Sequence, residues 1–213
     1  MAVAVALANG GSGEPCSVAI TSATRAEGKS ITALWLASIE ALSGRKVLVI
    51  DADHRAGTIA HKLGAQVKSA PIDKHVDRAT VAQLVQHDSA TGIYFISAGQ
   101  LAKLAANQFS VQPLRSVLSE LKHEYDLVIL DTPPLLATAD GLMYCNAADH
   151  TIFICRWQCT PRGAAHASLE RLRAAGACLT GVVVSMIRAD KEPLYSDTIG
   201  QRDQLLLSSY YSG

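Results

Sequence analysis

At 213 residues, with 49% hydrophobic and 18% charged residues, the chain carries enough apolar material for one α/β domain with a buried sheet and leaves no room for a second full domain. Its formal net charge is zero, so the overall balance recommends neither nucleic acid nor an anionic membrane surface as an obligatory partner. The five cysteines lack paired metal-ligand spacing and read as reduced, mostly buried small hydrophobes, which favours the cytoplasm.

Residues 1–15 are small and Gly-rich and read as a flexible leader. The apolar run Val3 to Ala8 within it lacks a basic flank and is too short for a signal core or a membrane span, so any membrane attachment must come from another chain. Residues 16–190 then read as one domain. Strands are predicted over 17–22, 46–51, 93–97, 127–131, 151–155 and 179–186. Helices are predicted over 29–42, 111–123, 139–146 and 161–175, with Trp35 assigned to the core side of the first. Residues 57–77 show no clear pattern, and 88–92 and 190–193 look like loops. Several strands are continuous apolar runs, as in a parallel sheet covered on both faces, and their alternation with helices predicts an open, doubly wound sheet with a mainly parallel centre. Residues 191–213 continue no sheet pattern and read as a mobile tail ending in the pair Tyr210 and Tyr211, with Tyr195 farther back.

Between the first strand and the first helix lies Ala23-Thr24-Arg25-Ala26-Glu27-Gly28-Lys29-Ser30, a relaxed form of the phosphate-binding loop that opens with alanine where glycine is usual. Such a loop wraps phosphates in backbone N–H groups at a helix N-terminus, here with Lys29 to offset the terminal phosphate charge and Ser30 to ligate Mg²⁺. Ala26 replaces a further glycine, and any positive φ there would cost roughly 1 kcal/mol. Two more strands end in acids. Residues 47–50 run into Asp51-Ala52-Asp53-His54-Arg55, and alternation in an extended segment would aim both carboxylates to one side. Residues 127–130 deliver Asp131-Thr132-Pro133-Pro134, in which Asp131 would reach Mg²⁺ through water. Ligands of open parallel sheets bind at strand carboxyl ends, where all three motifs fall.

These motifs, in this order, resemble the bacterial tyrosine kinases of capsular and exopolysaccharide export systems. The likeness runs from about Ser17 to Ile187. It is carried by Glu27-Gly28-Lys29-Ser30, by Asp51, Asp53 and Arg55, by the segment Tyr125 to Pro134, by Thr160-Pro161-Arg162 ahead of Leu169-Glu170-Arg171-Leu172, and by Gly181-Val182-Val183-Val184. The related partitioning and division-site ATPases carry an additional lysine early in the loop, where this chain has Ala23, Thr24 and Arg25. The resemblance implies a P-loop fold and Mg²⁺-ATP as cofactor, with transfer of the γ-phosphoryl group to tail tyrosines, for which Tyr210 and Tyr211 are the candidates. Lys29, Asp51, Asp53 and Asp131 are the expected catalytic residues, and Ser30, Asp51 and Asp131 the metal-site residues. Nucleotide contacts are expected from Glu27, Gly28, Lys29, Ser30, Ile31, Arg55 and Ser185, the last standing where the family often has an adenine-contacting asparagine. A homo-oligomer is implied, together with a membrane adaptor, the polysaccharide co-polymerase chain, that holds the kinase at the inner face of the plasma membrane. Which of Asp51 and Asp53 is the base stays open. The same residues also fit an ATPase switch with water as acceptor, or a partner that keeps nucleotide for structure alone.

Overall fold

The computed structural model describes residues 14–53, 57–65, 81, 83–99 and 111–187. Seven strands form one sheet in the order β3-β4-β2-β5-β1-β6-β7. They are β1 (Cys16–Ser22), β2 (Val47–Asp51), β3 (Gln86–Asp88), β4 (Ile93–Ile96), β5 (Leu127–Asp131), β6 (His150–Arg156) and β7 (Leu179–Ser185). All neighbouring pairs run parallel except β3 on β4. The helices are α1 (Lys29–Leu42), α2 (Thr58–Lys62), α3 (Val111–Leu121), α4 (Asp140–Ala147) and α5 (Arg162–Ala174). The fold is therefore the expected doubly wound α/β sheet.

The central strands are buried on both sides because alternate residues serve different layers. Leu48, Ile50, Val128 and Leu130 pack with Leu114 and Leu118 of α3, Tyr144 and Cys145 of α4 and Leu172 of α5. Val47, Val49, Leu127 and Ile129 face the opposite way and pack with Ala33, Leu36 and Ala37 of α1 and Ile59 of α2. From β1 the chain steps to β2 and β4, returns to fill the gap with β5, and then continues outward through β6 and β7. That reversal makes the carboxyl ends of β1, β2 and β5 a topological switch point, the place where such sheets hold ligands.

Three expectations need correction. Trp35 is 69% exposed. On α1 the buried positions are Lys29, Ala33, Leu36, Ala37 and Glu40, and a helical step of about 100° per residue puts Trp35, Ile39 and Leu42 on the outer stripe. Of the cysteines only Cys145 is buried, Cys16 and Cys155 are intermediate, and Cys159 and Cys178 are exposed. Residues 86–88, left without a strand by the pattern, form the edge strand β3, which pairs antiparallel through Gln86 with Phe95 and His87 with Tyr94. An edge strand with solvent on its side needs no apolar alternation. No helix among the described residues is long and apolar enough to cross a membrane.

Candidate functional site

The strand-to-helix loop folds as a nest closed by its own side chains. Ser22 donates its hydroxyl to the Thr24 carbonyl at 2.7 Å, and the Thr24 amide donates to Glu27 Oε2 at 2.8 Å. Ala26 takes φ 60° and Gly28 φ 95°, so one of the two left-handed positions is held by an alanine and carries the strain its sequence anticipated. At Gly28 the φ calls for glycine, and an added Cβ would also stand a tight 3.3 Å from Ser185 Oγ. Gly28 is the cap residue of α1, and Lys29 and Ser30 open the helix.

Lys29 is 7% exposed. Burial lowers its pKa, while Asp131, Asp53 and Glu27 pull it back toward the charged form. Ser30 Oγ accepts a hydrogen bond from the Thr58 hydroxyl at 2.8 Å, which ties α2 to the loop. Asp51 and Asp131 pair in register on adjacent parallel strands and are both fully buried. Asp51 Oδ2 accepts the Ile59 amide at 3.0 Å, Oδ1 has no hydrogen-bond partner, and burial raises its pKa to about 6. Neither oxygen of Asp131 has one. Burial pushes Asp131 up to about 7, with Asp51 and Asp53 adding to the rise and the nearby Ser30 hydroxyl and Lys29 opposing it. Strand pairing ends at Asp51, so Asp53 sits beyond the sheet; it too is buried, it lines the cavity above the loop, and its carbonyl accepts the Gly57 amide at 2.9 Å.

That cavity holds about 370 Å³. Of the expected site residues, Gly28, Lys29, Ser30, Ile31 and Asp53 line it. Arg25, Thr58, Lys62, Arg156 and Met186 also line it, beyond the residues expected from the motifs. Lys62 belongs to the patternless stretch, and Arg156 and Met186 are brought in by the ends of β6 and β7, which no local spacing signals. Glu27, Ser185, Asp51 and Asp131 do not line the cavity, the two aspartates lying fully buried beneath it. The Ser185 hydroxyl donates to the Glu27 carbonyl at 2.6 Å, and the Trp157 amide donates to the Ser185 carbonyl at 2.9 Å. Arg55, His54, Tyr195, Tyr210 and Tyr211 lie outside the described residues.

The oxygen set fits a hard divalent cation. Three buried carboxylate oxygens without partners stand near a serine hydroxyl, and Mg²⁺ prefers a few such oxygens completed by water and phosphate. Among the described residues there is no group of three or more His, Cys, Asp or Glu that could hold a metal ion.

Comparisons with known proteins bear on the family and the fold. Residues 17–163 match the family model described as AAA domain. The chain is 31% identical over 179 residues to the tyrosine-protein kinase YwqD of Bacillus subtilis, covering 84% of this chain and 76% of that protein. It is 28% identical over 178 residues to the tyrosine-protein kinase Etk of Escherichia coli K12, covering 83% of this chain but only 24% of Etk, so it spans about a quarter of that relative. Among solved structures, the VpsO kinase domain superposes with a TM-score of 0.69 at 26% identity, over 88% of this chain and 92% of that one. With the lysine loop and both acidic strand ends meeting at one switch point, the chain belongs to the bacterial tyrosine-protein kinase family of P-loop domains.

Proposed function

We propose that this chain is an ATP-dependent protein-tyrosine kinase that transfers the γ-phosphoryl group of Mg²⁺-ATP to its own tail at Tyr210 and Tyr211. In this reading it works in exopolysaccharide or capsule export. It does so as a homo-oligomer bound to a membrane adaptor, the polysaccharide co-polymerase chain, at the inner face of the plasma membrane. The observation that carries the reading is the pair Asp51 and Asp131, buried in register with unpartnered oxygens beside Ser30 and Lys29. Burying such groups without partners costs the fold several kcal/mol, a cost that makes sense where a cation completes them.

Mg²⁺-ATP, when bound, supplies the phosphoryl group and neutralises its developing charge. The loop amides around Gly28 cradle the phosphates, Lys29 offsets the β/γ charge, and Ser30 with Asp51 and Asp131 holds the cation and its water. Arg55 is assigned to a phosphate and Ser185 to the rim of the nucleotide site. Asp53 orients or deprotonates the tyrosine hydroxyl. Its place in the cavity wall favours it over Asp51, one oxygen of which is already bonded to the Ile59 amide.

Intact-protein mass spectrometry after incubation with Mg²⁺-ATP, beside Lys29→Met, tests the proposal. Phosphate on Tyr210 or Tyr211 that vanishes in the variant is the expected result. Hydrolysis without protein-bound phosphate, in the presence of the membrane adaptor, would replace it with an ATPase switch.

A further inference from the structure

Glu27 is an odd residue to find in a loop that binds a polyanion. It lies between Ala26 and Gly28, both in the cavity wall, yet it is 2% exposed and its own side chain is turned away from the cavity into the fold. Both carboxylate oxygens are engaged there. Oε2 accepts the Thr24 amide at 2.8 Å and Oε1 accepts the Thr160 hydroxyl. Thr160 Oγ1 in turn accepts the Arg156 amide at 2.7 Å, and Arg156 Nη1 reaches the Ala26 carbonyl at 3.4 Å. The turn after β6 thus grips the loop at Ala26 and Glu27, while Ser185 at the end of β7 grips the Glu27 carbonyl.

The gripped segment includes Ala26, whose φ of 60° an alanine does not hold unaided. A carboxylate near the phosphates also opposes them electrostatically, so its retention there needs an offsetting benefit. We infer that Glu27 and Thr160 form a clamp that holds the phosphate loop in its binding shape, which makes Thr160 a positioning residue for nucleotide affinity although it touches no nucleotide. This gives a role to Thr160 of the Thr160-Pro161-Arg162 motif. The inference rests on the nucleotide reading of the loop, but the loop's order can be measured without nucleotide.

The experiment uses the full chain, with Thr160→Val, Thr160→Ser, Glu27→Gln and the Glu27→Gln/Thr160→Val double variant. Binding of a fluorescent ATP analogue with Mg²⁺ is titrated, and hydrogen exchange of the Thr24 to Gly28 amides is followed without nucleotide. Thr160→Val should weaken binding about tenfold and speed exchange of these amides, above all Thr24, with β5 exchange unchanged. Thr160→Ser should restore both, and the double variant should lose no more than the weaker-binding single variant, since the two residues act as one unit. Unchanged affinity and loop exchange in Thr160→Val, or equal loss in Thr160→Ser, would overturn the clamp. Should Glu27→Gln fail to fold, the valine and serine variants decide alone. Should the wild type bind no Mg²⁺-ATP, the nucleotide reading fails and loop exchange still decides the clamp.

Discussion

Asp131 and Asp149 sit at opposite ends of the same sheet and are treated in opposite ways. Asp149, just before β6 at the amino end, accepts the Ser17 amide at 2.8 Å, the Ser17 hydroxyl at 2.7 Å and Lys122 Nζ at 2.9 Å. Burial pushes its pKa up, but Lys122 and Ser17 more than offset that, and it lies below the usual carboxylate value. Asp131, at the carboxyl end of β5, is buried more deeply, has no hydrogen-bond partner on either oxygen, and is raised to about 7. The amino end is built for stability. The carboxyl end leaves carboxylate oxygens unpartnered, at the expense of stability, as the proposed cation site requires.

The sharpest way to break this contrast is Asp131→Asn. It should lower phosphoryl transfer by roughly two to three orders of magnitude by removing charge at the cation site. It should also raise the unfolding free energy of the nucleotide-free chain by on the order of 2 kcal/mol at pH 8, read by urea denaturation. An activity loss accompanied by a stability loss would mean that Asp131 is a structural group like Asp149.

A pH series on the unliganded chain is the second test. The folded-state pKa values of Asp51 and Asp131 stand above the unfolded value near 4, so the native state binds more protons between those limits. Stability should therefore fall, by on the order of a few kcal/mol, as pH rises from about 4 to 7. Asp149 has the opposite sign, since its contribution is present above the unfolded value and is lost as pH drops through its lowered folded pKa. Asp131→Asn should flatten the first limb of a denaturation-midpoint profile and leave the acid limb in place.

Ser17→Ala is predicted to cost about 1 kcal/mol through the lost hydroxyl bonds to Asp149, with nucleotide affinity unchanged in a titration. The smallest effect is expected from Ala26→Gly, which should gain under 1 kcal/mol by relieving the left-handed φ, partly cancelled by the greater freedom of glycine in the unfolded chain; thermal unfolding would detect it.

Much of this was legible in the sequence because its signals are local. The runs 127–131 and 29–42 coincide with β5 and α1, since a continuous apolar run and a glycine before a helix state their own structure. The strain at Ala26 could be read from one residue standing where glycine is common. Trp35 departs from expectation because a large aromatic on a helix suggests burial until the phase of the buried stripe is known. Lys62, Arg156 and Met186 reach the cavity through chain folding over long separations, and so does the contact of Thr160 with Glu27 across 133 residues. The sequence offers no register for such pairings.

The two tryptophans give the molecule an internal optical readout. Trp157 immediately follows Arg156 in the turn that grips the loop and is partly buried, whereas Trp35 stands in solvent on the outer stripe of α1. Indole emission from position 35 should be red-shifted and indifferent to the loop. Quenching or a shift that survives in Trp35→Phe would therefore report a change around Trp157 in the β6–α5 turn, without a label.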